Sequence, residues 1–93
     1  MPQQEYNIAT GDVFEKWDDL LNDVYKYLKQ TMPKGEFEKL EKDEVAWIKE
    51  KEVAIESESA SWRGGSAEAG IKHGVGIRYT KERCYYLISL IDD

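Results

Sequence analysis

From residue 12 onward the apolar side chains fall on helical spacing. Val13, Trp17, Leu20, Leu21, Val24, Tyr27 and Leu28 recur at steps of three and four, which predicts an amphipathic helix over about 12–31. Asp12 with Glu15 three residues on fits a capping box at its start, each side chain meeting an otherwise unpaired amide. Pro33 stops it, because the residue before a proline is driven out of helical geometry. A second stripe of Phe37, Leu40, Trp47, Ile48, Ile55 and Trp62 predicts a helix over about 36–62. Val45 and Val53 fall off that stripe and are expected to lie under a third element. Gly64-Gly65 supplies the stop, since glycine takes the left-handed conformation without penalty.

The last third admits two readings. Ile71, Val75 and Tyr79, then Cys84, Leu87, Ile88 and Ile91, keep helical spacing, and Ser66 can cap the whole run. Gly70, Gly74 and Gly76 each cost a helix about 0.8–1 kcal/mol relative to alanine. One long helix over 66–91 is the favoured reading; the rival is a glycine-rich loop followed by a short helix capped by Thr80. Either way the fold class is all-α, an antiparallel three-helix arrangement with its last helix weakened or broken by glycines. Residues 1–11 are polar and aperiodic and read as a flexible lead-in to a single domain, 12–93.

Composition and charge narrow the function. With 93 residues the chain is one domain, and a domain of this size buries only about 60–70% of its unfolded surface. Leu, Ile, Val and Phe total only 20, but three Trp and six Tyr supply the missing apolar area. The net charge of −6 repels phosphate, which argues against nucleic acid as a partner. Residues 36–58 hold nine carboxylates and four lysines, a net of −5, beside a slightly basic last third. Such a face is either solvated or steers toward a basic protein. No apolar run approaches the ~20 residues of a transmembrane helix, and the first residues have no secretory pattern.

Catalytic signatures are missing. His73 lies among glycines without a nucleophile or metal-ligand companion, and Gly64-Gly65-Ser66 after a helix lacks the strand-to-helix elbow of a hydrolase. Cys84 is the one cysteine and falls on an apolar stripe, as a small core residue does. Neither a cofactor nor a metal is expected, and the chain is not expected to be an enzyme.

Several short motifs then fall in a familiar order: Leu21-Asn22-x-x-Tyr25-x-x-Leu28, then Trp47-Ile48-Lys49, then Gly64-Gly65-Ser66, then Thr80-Lys81-Glu82-Arg83. Together, over about residues 14–92, they resemble the LprI-type lysozyme inhibitors, small helical domains of exported bacterial proteins and lipoproteins. The resemblance implies a non-catalytic binding domain of the cell envelope or exterior, whose partner is a basic protein such as a lysozyme. It leaves a lipid anchor open to the parent protein. Members often carry two cysteines where this chain has Ile55 and Val75, so the alignment expects those two to touch in place of a disulfide. Lys51 stands where an arginine is common.

Leu21, Asn22, Tyr25, Leu28, Trp47, Ile48, Gly64, Gly65, Ser66, Thr80 and Arg83 are the motif positions, structural or binding. Arg83 is expected to pair with a carboxylate of an earlier helix, and Tyr25 and Trp47 to sit at the core. Trp62 and Arg63, in the turn before the last helix, and Glu41, Glu44 and Glu52 on the acidic helix are the candidates to face a partner. The other class of function open to the chain is a cytosolic helical interaction module, which implies a natural start at Met1 and a cytoplasmic location.

Overall fold

The computed structural model describes residues 3–91. Three helices run up, down and up: α1 (Gln3–Thr31), α2 (Lys34–Ser59) and α3 (Glu68–Ser89), with a single 3₁₀ turn, Ala60–Trp62, after α2. The array is elongated, 47 × 23 × 15 Å. Among the described residues there is no strand.

α3 is the spine. It lies along α1 and, less extensively, along α2, while α1 and α2 touch each other little. Leu21, Val24 and Leu28 of α1, Phe37 and Leu40 of α2, and Cys84 and Leu87 of α3 form the core. Leu28 and Leu87 are only 1% and 0% exposed, each worth about 1.5–3 kcal/mol on burial. The Tyr25 ring closes the α1–α2 end on Phe37, with centroids 5.1 Å apart.

The first helix begins nine residues before the predicted cap. Residues 3–11, read as a flexible lead-in, are helical, and Met1 and Pro2 lie outside the described residues. Asp12 therefore sits inside a helix and caps nothing. The physical reason is docking on α3 and the turn before it: Asn7 Nδ2 donates to the Ser66 carbonyl at 3.0 Å, and Thr10 Oγ1 lies 3.1 Å from His73 Nδ1. Polar and small residues dock this turn, so hydrophobic periodicity passes over it.

The break at Pro33 and the second helix follow the sequence closely. Ser59, the last residue of α2, donates its hydroxyl to the Ile55 carbonyl at 2.7 Å. Gly64, at φ +80°, turns the chain in the left-handed region. Val45 and Val53, expected to be covered, are instead 52% and 68% exposed; α3 lies on the opposite flank, so α2 carries apolar residues on two faces.

In the last third the long helix is the observed one. α3 runs unbroken through Gly70, Gly74 and Gly76 and starts beyond Ser66 at Glu68, after Ala67. Thr80 is no cap; it is fully buried in mid-helix. Gly76 is required by packing, because a Cβ there would lie 2.9 Å from Phe14 Cζ. Ile88 and Ile91, placed on the buried stripe by spacing, are more than a third exposed. Val75 is buried and Ile55 half-buried. By the register of the flanking pairs Glu44–Arg83 and Glu56–Lys72, Ile55 lies opposite residues 72–73, within one helical turn of Val75.

Candidate functional site

Three features stand apart from the apolar core: a buried ion-pair centre, an exposed turn at one end, and an open groove beside that turn.

The centre is Arg83. Its Nε donates to Glu44 Oε1 at 2.7 Å, and its Nη1 lies 2.9 Å from Asp43 Oδ2. The guanidinium sits 4.9 Å from the Tyr86 ring centroid and 5.6 Å from that of Trp47, geometry suited to cation–π attraction. Burial works against its charge, but the bonds to Glu44 and Asp43 outweigh burial and hold its pKa above the ordinary arginine value. Burial, and then the carboxylates of Glu41 and Glu44, push the nearby Tyr25 phenol up. Thr80 Oγ1 and Arg83 Nη2 are buried here without a hydrogen-bond partner among the described residues. Glu44, proposed from sequence to face a partner, is instead 8% exposed. It faces inward because α2 turns that side toward α3. Glu41 and Glu52 are exposed.

The other motif positions divide between framework and surface. Leu21 and Leu28 are core, while Tyr25 and Trp47 are half-buried against it. Asn22 is exposed, and Ile48 is 40% exposed. Lys51 pairs with rings rather than a carboxylate: its Nζ lies 4.7 Å from the Trp47 centroid and 5.6 Å from that of Phe14. It thereby links α2 to α1, two helices that otherwise touch little.

The turn leaving α2 exposes Trp62, Arg63, Gly64, Gly65 and Ser66. It is braced from within. The Gly65 amide donates to the Trp62 carbonyl at 3.0 Å, and the Gly64 amide donates to Glu68 Oε1 at 3.2 Å. That amide, with Lys72 next, holds the Glu68 carboxyl below the usual carboxylate range. Arg63 reaches back to Glu56 at 3.5 Å. Trp62 is left half-exposed at the tip.

Beside the turn lies an open groove of about 590 Å³ lined by Asn7, Ile8, Gly11, Asp12, Phe14, Glu15 and His73. None of these residues stands out in the sequence as a binding residue. A signal for Phe14 is present, since Thr10, Phe14, Trp17, Leu21, Val24 and Leu28 follow alternating steps of four and three, the spacing of a packed helical seam. Among the described residues no cluster of His, Cys, Asp and Glu is arranged to hold a metal ion. No helix among them is long and apolar enough to cross a membrane.

A family model described as "Lysozyme inhibitor LprI" matches residues 1–87. The chain belongs to the LprI family. The match takes in α1, α2, all but the last two residues of α3, the Arg83 centre and the whole groove. It starts before the predicted lead-in ends, in agreement with a first helix that begins at Gln3. No curated protein and no solved structure matches the chain. Within this LprI domain the motif residues read from the sequence fall into two groups. Leu21, Leu28, Thr80 and Arg83 build the interior, and Gly64-Gly65-Ser66 shapes the exposed turn.

Proposed function

We propose that this LprI-family domain is a non-catalytic inhibitor of a lysozyme-type glycosidase, acting in the cell envelope or outside the cell. The observation that carries the reading is the family match over residues 1–87. The chain's charge of −6 supports it, because an acidic inhibitor is drawn to a strongly cationic enzyme and its association is accelerated by the complementary field. Exposed carboxylates such as Glu41 and Glu52 supply part of that field.

Inhibition then works by obstruction. The braced turn presents Trp62, 49% exposed, with Arg63 beside it. Tryptophan and arginine are the side chains that most often anchor protein interfaces, and a turn already held in shape loses little freedom on docking. In this mechanism the turn enters the substrate cleft while the acidic body lies against the cationic rim.

Clearing of a bacterial cell-wall suspension by lysozymes of several types, with and without the domain, tests the reading. The expected result is slower clearing at micromolar domain, relieved by added salt. Unchanged clearing with every lysozyme at tens of micromolar overturns it. Within an inhibiting domain, Trp62→Ala is expected to weaken inhibition by about tenfold or more, the cost of losing an interface anchor.

A further inference from the structure

The carboxylates of the chain form two populations. On α2, Asp43, Glu44, Glu56 and Glu58 are each engaged by a cation from beyond the helix: Arg83, Lys72, Arg63 or Arg78. On α1, Asp12, Glu15, Asp18, Asp19 and Asp23 enter no ion pair among the described residues, and Lys16 is the one cation between Asp12 and Asp23. Glu36, Glu38, Glu41, Glu50 and Glu52 of α2 also enter no ion pair among the described residues, but the five lysines of that helix match them in number. The net uncompensated negative charge is therefore concentrated on α1, not on the helix with the most acids.

Two of these carboxylates, Asp12 and Glu15, line the groove of about 590 Å³ at the amino-terminal end. Its apolar wall is Ile8, 59% exposed, with the Phe14 ring. A cation is already tolerated on that ring, where Lys51 Nζ stands 5.6 Å from the centroid. His73 lines the groove beside Phe14, the ring centroids 6.4 Å apart, and is kept in place by Thr10 at 3.1 Å and by close contact with Gly11. The groove also adjoins the exposed turn, because Asn7 bonds the Ser66 carbonyl.

We propose that this groove receives a lysine or arginine side chain of the partner protein. The aliphatic stem lies along Ile8 and Phe14, and the charged head sits between Asp12 and Glu15. A long cationic side chain fits because it buries its stem on apolar surface while its head keeps polar company. The inference rests on the reading that the partner is a cationic lysozyme, and it adds a second point of attachment beside the Trp62–Ser66 turn.

The test uses Asp12→Asn/Glu15→Gln, with Glu36→Gln/Glu38→Gln as a variant of equal charge loss on α2. All four positions are exposed, and circular dichroism checks the fold of each variant. In the cell-wall clearing assay the α1 variant is expected to weaken inhibition by about tenfold, and the α2 variant by less than about twofold. In parallel, the ¹⁵N-labelled domain is titrated with a hexa-arginine peptide. Amide shifts are expected at Gly11, Asp12, Glu15 and Gly74, and are expected to vanish in the α1 variant. If the wild type inhibits and both variants weaken it equally or not at all, the groove proposal is overturned and the inhibitor reading stands. If no lysozyme is inhibited but the peptide shifts appear at the groove and vanish in the α1 variant, the inhibitor reading falls and the groove remains a cation site. Peptide shifts spread along α2 overturn the groove in either case.

Discussion

Toward α2, the spine helix presents Lys72, Arg78 and Arg83 to Glu56, Glu58, Asp43 and Glu44. Toward α1, it presents Gly76 and Cys84, and the facing groups are the Phe14 ring and the Trp17 carbonyl. One seam is joined by charge at long reach, the other by small residues that let backbones and rings close up. The difference follows from what each helix brings. α2 is rich in carboxylates and has few large side chains turned inward beyond its first half, so cations from α3 span the gap. α1 brings Phe14, Trp17 and Leu21 on one face, and these need room more than they need partners. The division also decides which carboxylates are spent inside the fold and which stay free to meet another protein.

The largest effect is expected at the buried end of the charged seam. Arg83→Met removes the cation from Glu44, which is 8% exposed; breaking a buried pair by removing one partner costs about 3–5 kcal/mol. That is a large share of the roughly 5–14 kcal/mol available to a domain of this length. Arg83→Met/Glu44→Met is expected to recover most of the loss, since two apolar side chains can replace a buried pair at little cost. Urea denaturation of the three proteins measures this. Equal losses in the single and double variants would show that the guanidinium contributes through its packing on Trp47 and Tyr86 instead.

Smaller effects, of opposite sign, are expected from two glycines of α3. Gly76→Ala pushes a methyl into Phe14, at 2.9 Å from Cζ; overpacking costs about 1–3 kcal/mol, and the helix-propensity gain of about 1 kcal/mol offsets only part of it. Gly74 is exposed, and a methyl added there would meet nothing within 4 Å. Gly74→Ala should therefore keep the propensity gain and raise stability by up to about 1 kcal/mol. Thermal melts of both variants check the pair. Two shifts in the same direction would mean that close approach is not what holds α1 to α3.

Much of this fold is legible in the sequence, and the exceptions have a common cause. The helix borders at Pro33 and Gly64 can be read because each depends on one residue's backbone preference. The continuity of α3 through three glycines can be read because Ile71, Val75 and Tyr79 keep the period. The start of α1 cannot, since Asn7 and Thr10 are docked by hydrogen bonds to residues 59 and 63 positions away, and apolar spacing carries no trace of such bonds. Val45 and Val53 escape the pattern because a helix with apolar residues on two faces gives no single stripe. The engagement of Arg83 with an acid follows from the surplus of carboxylates on the earlier helices. Which acid it finds depends on register between helices, so sequence alone puts Glu44 on the surface. For the same reason a sequence count puts the acidic patch on α2: charge can be counted along a chain, but neutralisation happens across a seam.

The uncharged seam also makes a prediction in pH, the smallest of the three because it vanishes at neutrality. Cys84 is fully buried, with its Sγ 3.6 Å from the Trp17 carbonyl. Burial first, and then the nearby charges of Asp18 and Glu44, raise its thiol pKa above the ordinary value. The sign follows from proton linkage. Below the ordinary thiol pKa both folded and unfolded chains keep the proton, and the contribution of the thiol is complete. As pH rises past that value the unfolded chain ionises while the folded one does not, so stability falls until the folded thiol ionises too. The stability advantage of the wild type over Cys84→Ala in urea is therefore expected to shrink between pH 7 and about pH 10. Tyr25, whose phenol is also raised, titrates in both proteins and cancels in the difference. An advantage that stays constant over that range would mean that Cys84 ionises as readily in the folded chain as in the unfolded one. The α1–α3 seam would then admit water at its sulfur, and the contrast with the charged seam would lose its basis.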